Sequence, residues 1–140
     1  MSAQPDPQGT STEDSSPSAQ GSRLADVALQ RDILTQIARE GRYITYGDML
    51  AKLGFRFTRP KMRALCQTLA EVDRQCVADG EPELAVLVVR EADKLPGQGW
   101  WTANPVVLRD YLGPWEGREA GKFIRDQQAL AYRYWKGREA

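Results

Sequence analysis

Apolar residues recur along the first half of the chain with the period of a helix, and polar residues fill the intervals. In RLADVALQRDILTQIAREG, residues 23–41, Leu29, Ile33, Leu34 and Ile37 fall at helical spacing and Gly41 supplies a stop. Thr45 stands as the N-cap of a second, short helix, with Asp48 three residues on in a capping-box position. Ile44 and Met49 are spaced as a hydrophobic staple, and Met49, Leu50 and Leu53 are the apolar positions before Gly54 ends the helix. The turn GFRFT leads to Thr58, a further cap, with Pro60 tolerated in the first turn of a third helix. There Met62, Leu65, Cys66, Leu69, Val72 and Cys76 line up as one apolar stripe, ended by Gly80 and Pro82.

Beyond Pro82 the pattern changes. ELAVLVVRE, residues 83–91, is a run of aliphatic and β-branched residues that reads as a buried strand. ADKLPGQG is turn chemistry, and Trp100–Trp101 are expected to begin a returning strand. Three helices followed by a β-hairpin is the layout of a winged helix-turn-helix, an α+β fold that is mainly helical. The third helix is then the recognition helix and residues 90–99 the wing. NPVVLRDYLGPW is read as a short helix or turn. In the last helix, Ala120, Phe123, Ile124, Leu130, Ala131 and Tyr134 gather on one side, and Arg118, Lys122, Arg125, Arg133 and Lys136 on the other. The expected organisation is a disordered tail over residues 1–22, a winged-helix domain over 23–105 and a helical extension over 106–140.

Composition sharpens this. Residues 1–22 hold no aromatic residue and, apart from alanines, Met1 is their only apolar one, too little to offset the entropy of ordering. They lack the basic start and apolar run of a signal peptide, and no stretch is long enough to cross a membrane, so a soluble cytoplasmic protein is expected. The formal net charge of zero hides an asymmetry: the tail carries Asp6, Glu13 and Asp14 without a base. The remainder has 19 basic and 16 acidic residues. Such a balance is compatible with a nucleic-acid partner if the bases cluster.

They do cluster. Lys52, Arg56, Arg59, Lys61 and Arg63 follow one another with no acid between Asp48 and Glu71. At the turn and start of a recognition helix, basic and polar groups meet phosphates, and the helix N-terminus adds its own dipole. Arg56, Thr58, Arg59 and Lys61 are the expected phosphate contacts, and Arg63 and Gln67 the side chains able to pair with a purine edge. Glu71, facing the same way, and Asp73 nearby limit this surface to the first two turns. Arg90 and Lys94 are the wing candidates, offset by Glu91 and Asp93. Lys122, Arg125 and Lys136 could add a second electrostatic contact. For each group the alternative is an ordinary solvated face. Trp115 and Trp135 are the candidates for a protein-partner interface, the rival reading of the chain.

The chain has no histidine, which removes the usual general base, the commonest zinc ligand and every Ser-His or Cys-His pair. Cys66 and Cys76 lie on one helix about 15 Å apart, too far for a disulfide, and read as core residues. No phosphate-cradling glycine loop, metal-spaced set or paired-carboxylate site is visible, so no catalytic residue, metal or cofactor is expected.

ITYGDML, a recognition-type helix and the stretch ELAVLVVREADKLPGQGW together resemble the DNA-binding domain of the O6-alkylguanine alkyltransferases and alkyltransferase-like proteins. The resemblance covers roughly residues 43–101. It implies a winged-helix scaffold that meets double-stranded DNA through the third helix. The family's reactive Pro-Cys-His-Arg stretch should fall near Leu87–Arg90, where this chain has Leu87, Val88, Val89 and Arg90. With neither cysteine nor histidine there, alkyl transfer is excluded, and a non-enzymatic DNA-binding protein is expected.

Overall fold

Three helices in the first half of the chain are closed by the same device. The computed structural model describes residues 23–103 and 111–138. Helix α1 spans Val27–Arg39, α2 Tyr46–Lys52 and α3 Arg59–Ala78. After each come a single cap residue and a glycine with positive φ, at Gly41, Gly54 and Gly80. At Gly54 the left-handed backbone lets its own amide reach Ala51 O at 3.0 Å and that of Phe55 reach Leu50 O at 2.9 Å. This Schellman arrangement satisfies two carbonyls that the helix end leaves open, in a conformation that a Cβ disfavours. The starts are equally local. Asp26 accepts from Leu29 N, Thr45 from Asp48 N and Thr58 from Lys61 N, at 3.0–3.2 Å. Both threonine caps and all three glycine stops stand where the sequence pattern put them.

The second half departs from the expected hairpin. Residues 83–91 contain a 3-10 turn at Ala85–Leu87 and a strand, β2, of only Val88–Val89. It pairs in parallel with β1, Ile44–Thr45, in the register Ile44↔Val88 and Thr45↔Val89. Trp100 and Trp101 start no strand; they lie in helix α4, Gln98–Ala103. The fold is thus mainly helical with a small two-stranded parallel sheet, and the β-hairpin of the sequence reading is absent among the described residues.

Two causes are visible. Leu84 to Val89 are all buried, and a run buried on every side has no alternation to tell a strand from a compact turn. Side chains also take the backbone groups that a ladder would use. Asp73 accepts from Leu84 N and Ala85 N at 2.8 Å each, and Gln128 donates to Val86 O at 3.0 Å. In the two tryptophans, a strand would send neighbours to opposite faces. The helix instead lets Trp101 reach Tyr111, Trp115 and Phe123, with ring centroids 5.8–6.1 Å away.

Helix α5, Gly117–Lys136, packs chiefly on α1 and the 3-10 turn. Its buried stripe is Ala120, Ile124, Gln128, Ala131 and Trp135. The expected stripe is rotated: Leu130 is 46 % exposed, while Gln128, which was not part of it, is buried. Trp135 also lies inside the core, with the Arg39 guanidinium over its ring. Residues 1–22 and 104–110, which include the expected tail and most of the segment before Trp115, lie outside the described residues.

Candidate nucleic-acid interface

The turn between α2 and α3 is built on two anchors. The first is Arg23, whose Nε donates to Leu53 O at 2.8 Å and so satisfies a carbonyl at the end of α2. A Cβ on Gly54 would meet the same guanidinium at 2.9 Å, so this glycine gives the arginine its seat. The second is Phe55, half-buried, with Lys61 Nζ 5.2 Å from its ring centroid. A cation over an aromatic face at this distance is held electrostatically, so Lys61 is partly committed to the fold. Nothing in the sequence pointed to Arg23, which acts across thirty positions.

Around these anchors Arg56, Arg59 and Arg63 are exposed. Among the described residues none of them, nor Lys52, has a carboxylate within ion-pair distance. Arg59 and Arg63 are one turn apart on α3, so they share a face, and exposed Gln67 continues it. Thr58 caps the helix while staying exposed. The first amides of this 20-residue helix carry its positive dipole end to the same place.

Farther along α3 the acids do not behave as expected. Glu71 binds Arg74, with Nη2–Oε1 at 2.6 Å, so its charge is countered on its own helix. Asp73 does not lie near the outward face at all; it is buried and faces the 83–85 segment. The reading had made it a source of repulsion, because rotation about a helix does not show which polar residue a later loop will cover.

The other basic candidates fall into different surroundings. Arg90 forms a two-pronged contact with Asp93, at 2.8 and 3.2 Å, within a turn closed by Arg90 N to Leu95 O. In the same turn Lys94, with φ +60°, donates to Glu91 O at 2.6 Å and lies 3.5 Å from the Glu91 carboxylate. Lys122 pairs with Asp126 at 2.9 Å, whereas Arg125 and Lys136 are exposed. All three belong to α5, whose main neighbours are α1 and the 3-10 turn and not α3. Trp115 is half-buried and stacked on Trp101, with an interplanar angle of 11°.

Tyr46, in the centre of ITYGDML, ties the helical pair to α4. It is buried, and its hydroxyl accepts from Gly97 N at 2.8 Å. Burial pushes this phenol far above its ordinary range, so it acts as a neutral hydrogen-bonding group. Burial likewise raises both thiols, that of Cys76 to about 12, which keeps them protonated at neutral pH. At Leu87–Arg90 the first three side chains are fully buried aliphatics.

Among the described residues, no helix is long and apolar enough to cross a membrane. Comparison with protein-family models, curated proteins and solved structures gives no match to this chain.

Proposed function

We propose that the chain is a non-enzymatic DNA-binding protein that meets the duplex through the α2–α3 turn and the first two turns of α3. The observation that carries this reading is the set Arg56, Arg59 and Arg63: exposed, close in sequence, at the positive end of a long helix and without carboxylate partners among the described residues. Arg56, Arg59 and Lys61 contact phosphates, and Arg63 and Gln67 are turned to base edges. The scaffold is a winged helix in reduced form, with the 90–95 turn in the wing position. Arg90 and Lys94 are countered inside that turn and contribute little. The resemblance of residues 43–101 to alkyltransferase-like DNA-binding domains supports the same use of α3. The aliphatic Leu87, Val88 and Val89 leave no nucleophile for that family's chemistry.

The test is double charge reversal, Arg59→Glu with Arg63→Glu, assayed by gel shift on random duplex DNA. Binding abolished, with an unchanged circular dichroism spectrum, is the expected result. Retained binding would remove the site from α3. A protein-interaction module is the second reading, favoured by Trp115, whose ring is stacked on Trp101 but is not fully buried by its own chain. Under it, Trp115→Ala breaks a complex that the double reversal leaves intact.

A further inference from the structure

We infer that the groove between α3 and α4 is a binding site for a small organic cation with an apolar body. The groove has a volume of about 520 Å³, within the range of small-molecule sites. Leu69, Ala70 and Val77 of α3, Ala85 of the 3-10 turn and Trp100 of α4 supply its apolar lining. Tyr46, Cys66 and Gln67 line it as well.

Two charged side chains of the groove, Arg74 and Asp73, are held differently. Arg74 lines the groove but is held by Glu71, at 2.6 and 2.8 Å. The groove also holds the carboxylate of Asp73. The Asp73 side chain is more than nine-tenths buried, and only its Oδ1 is used, by the amides of Leu84 and Ala85. No hydrogen bond reaches Oδ2 among the described residues, although the residue lines the groove. That oxygen is not sealed from solvent, so a cation or donor entering the groove can pair with it. An ammonium group at Oδ2 with its hydrocarbon part along Leu69, Val77 and Trp100 supplies both, and an aromatic wall adds attraction for a cation.

Titration agrees with this geometry. Burial pushes the Asp73 carboxyl up to about 7, against the two amide hydrogen bonds that lower it, and Glu83 raises it further. Arg74 lowers it on its own helix; Cys76, Tyr46 and Cys66 are neutral near pH 7. The cation requires the ionised carboxylate, so binding strengthens as pH rises through 7 and fades below it.

The probe is 2-phenylethylammonium chloride, titrated into the full chain and followed by amide NMR shifts, with neutral 2-phenylethanol as control. Asp73→Asn keeps an acceptor oxygen for Leu84 and Ala85 while removing the charge. Val77→Trp fills the groove from an exposed position and leaves Asp73 in place. The expected result at pH 8 is shifts confined to the groove amides of Gln67, Val77, Ala85 and Gly99, with binding roughly tenfold weaker in Asp73→Asn, the loss of one charge-assisted contact. Val77→Trp blocks binding, and at pH 6 the gap between wild type and Asp73→Asn closes. Equal affinity of wild type and Asp73→Asn at pH 8, equal binding of the alcohol, or undisturbed binding by Val77→Trp would overturn the site.

Discussion

Asp73 Oδ1 accepts the amide hydrogen of Leu84 at 2.8 Å and that of Ala85 at the same distance, so one carboxylate oxygen fixes the chain after α3 to the middle of that helix. The carboxylate is buried, and its pKa is raised to about 7 from an ordinary value near 3.8. A native state that binds its proton more tightly than the unfolded state loses stability as pH rises. This contribution is full below about pH 4 and is lost by pH 7. A shift of this size corresponds to a few kcal/mol. Urea denaturation at pH 5 and pH 8 should therefore show the wild type less stable at pH 8, beyond any difference seen in Asp73→Asn. Identical pH profiles for the two proteins would contradict it. Asp73→Ala, which leaves two buried amides without an acceptor, should cost about 2–3 kcal/mol at either pH.

Gln128 gives a second test. Its side-chain amide donates to Val86 O across 42 positions and joins α5 to the 3-10 turn. Gln128→Leu keeps the volume but leaves a buried carbonyl unpaired, with an expected loss of about 1–3 kcal/mol in a urea melt. A stability equal to wild type would mean that this bond does not hold α5.

Trp135 separates two roles for the last helix. It is buried and lies under Arg39, so Trp135→Ala should destabilise by about 3–5 kcal/mol. A variant with wild-type melting temperature would place the ring outside the core.

Gly54 tests the turn. At φ +94°, with Arg23 against the position a Cβ would take, Gly54→Ala should cost about 1–2 kcal/mol. Thr58→Ala, which loses only the cap, should cost about 1 kcal/mol. If the glycine change proved the milder of the two by thermal melting, the seat of Arg23 would be misassigned.

The parts of the fold that were legible in the sequence are those set by neighbours in the chain. Thr45, Thr58, Gly41, Gly54 and Gly80 act within four or five residues, and the α3 stripe of Leu65, Leu69, Val72 and Cys76 follows from helical period alone. What escaped was set by partners far along the chain. Leu84 to Val89 looked like a strand because apolar content is the same whether a ladder or Asp73 and Gln128 satisfy the backbone. Asp73 looked like surface because its partners come 11 and 12 positions later. Of the candidate contacts, Arg56, Arg59 and Arg63 were visible as a run of bases, and all three are exposed. The pairing of Arg90 with Asp93 and the burial of Trp135 depend on backbone geometry that spacing does not carry.

The central claim is phosphate contact by the start of α3, and salt dependence measures it most directly. Fluorescence anisotropy of a labelled random duplex, titrated with the full chain at several salt concentrations, should show affinity falling steeply with salt. The logarithmic slope is about −0.9 for each phosphate neutralised. Arg59→Glu with Arg63→Glu should flatten that slope and weaken binding on every sequence tested. No binding at low salt, or a slope that the double variant leaves unchanged, would contradict the account.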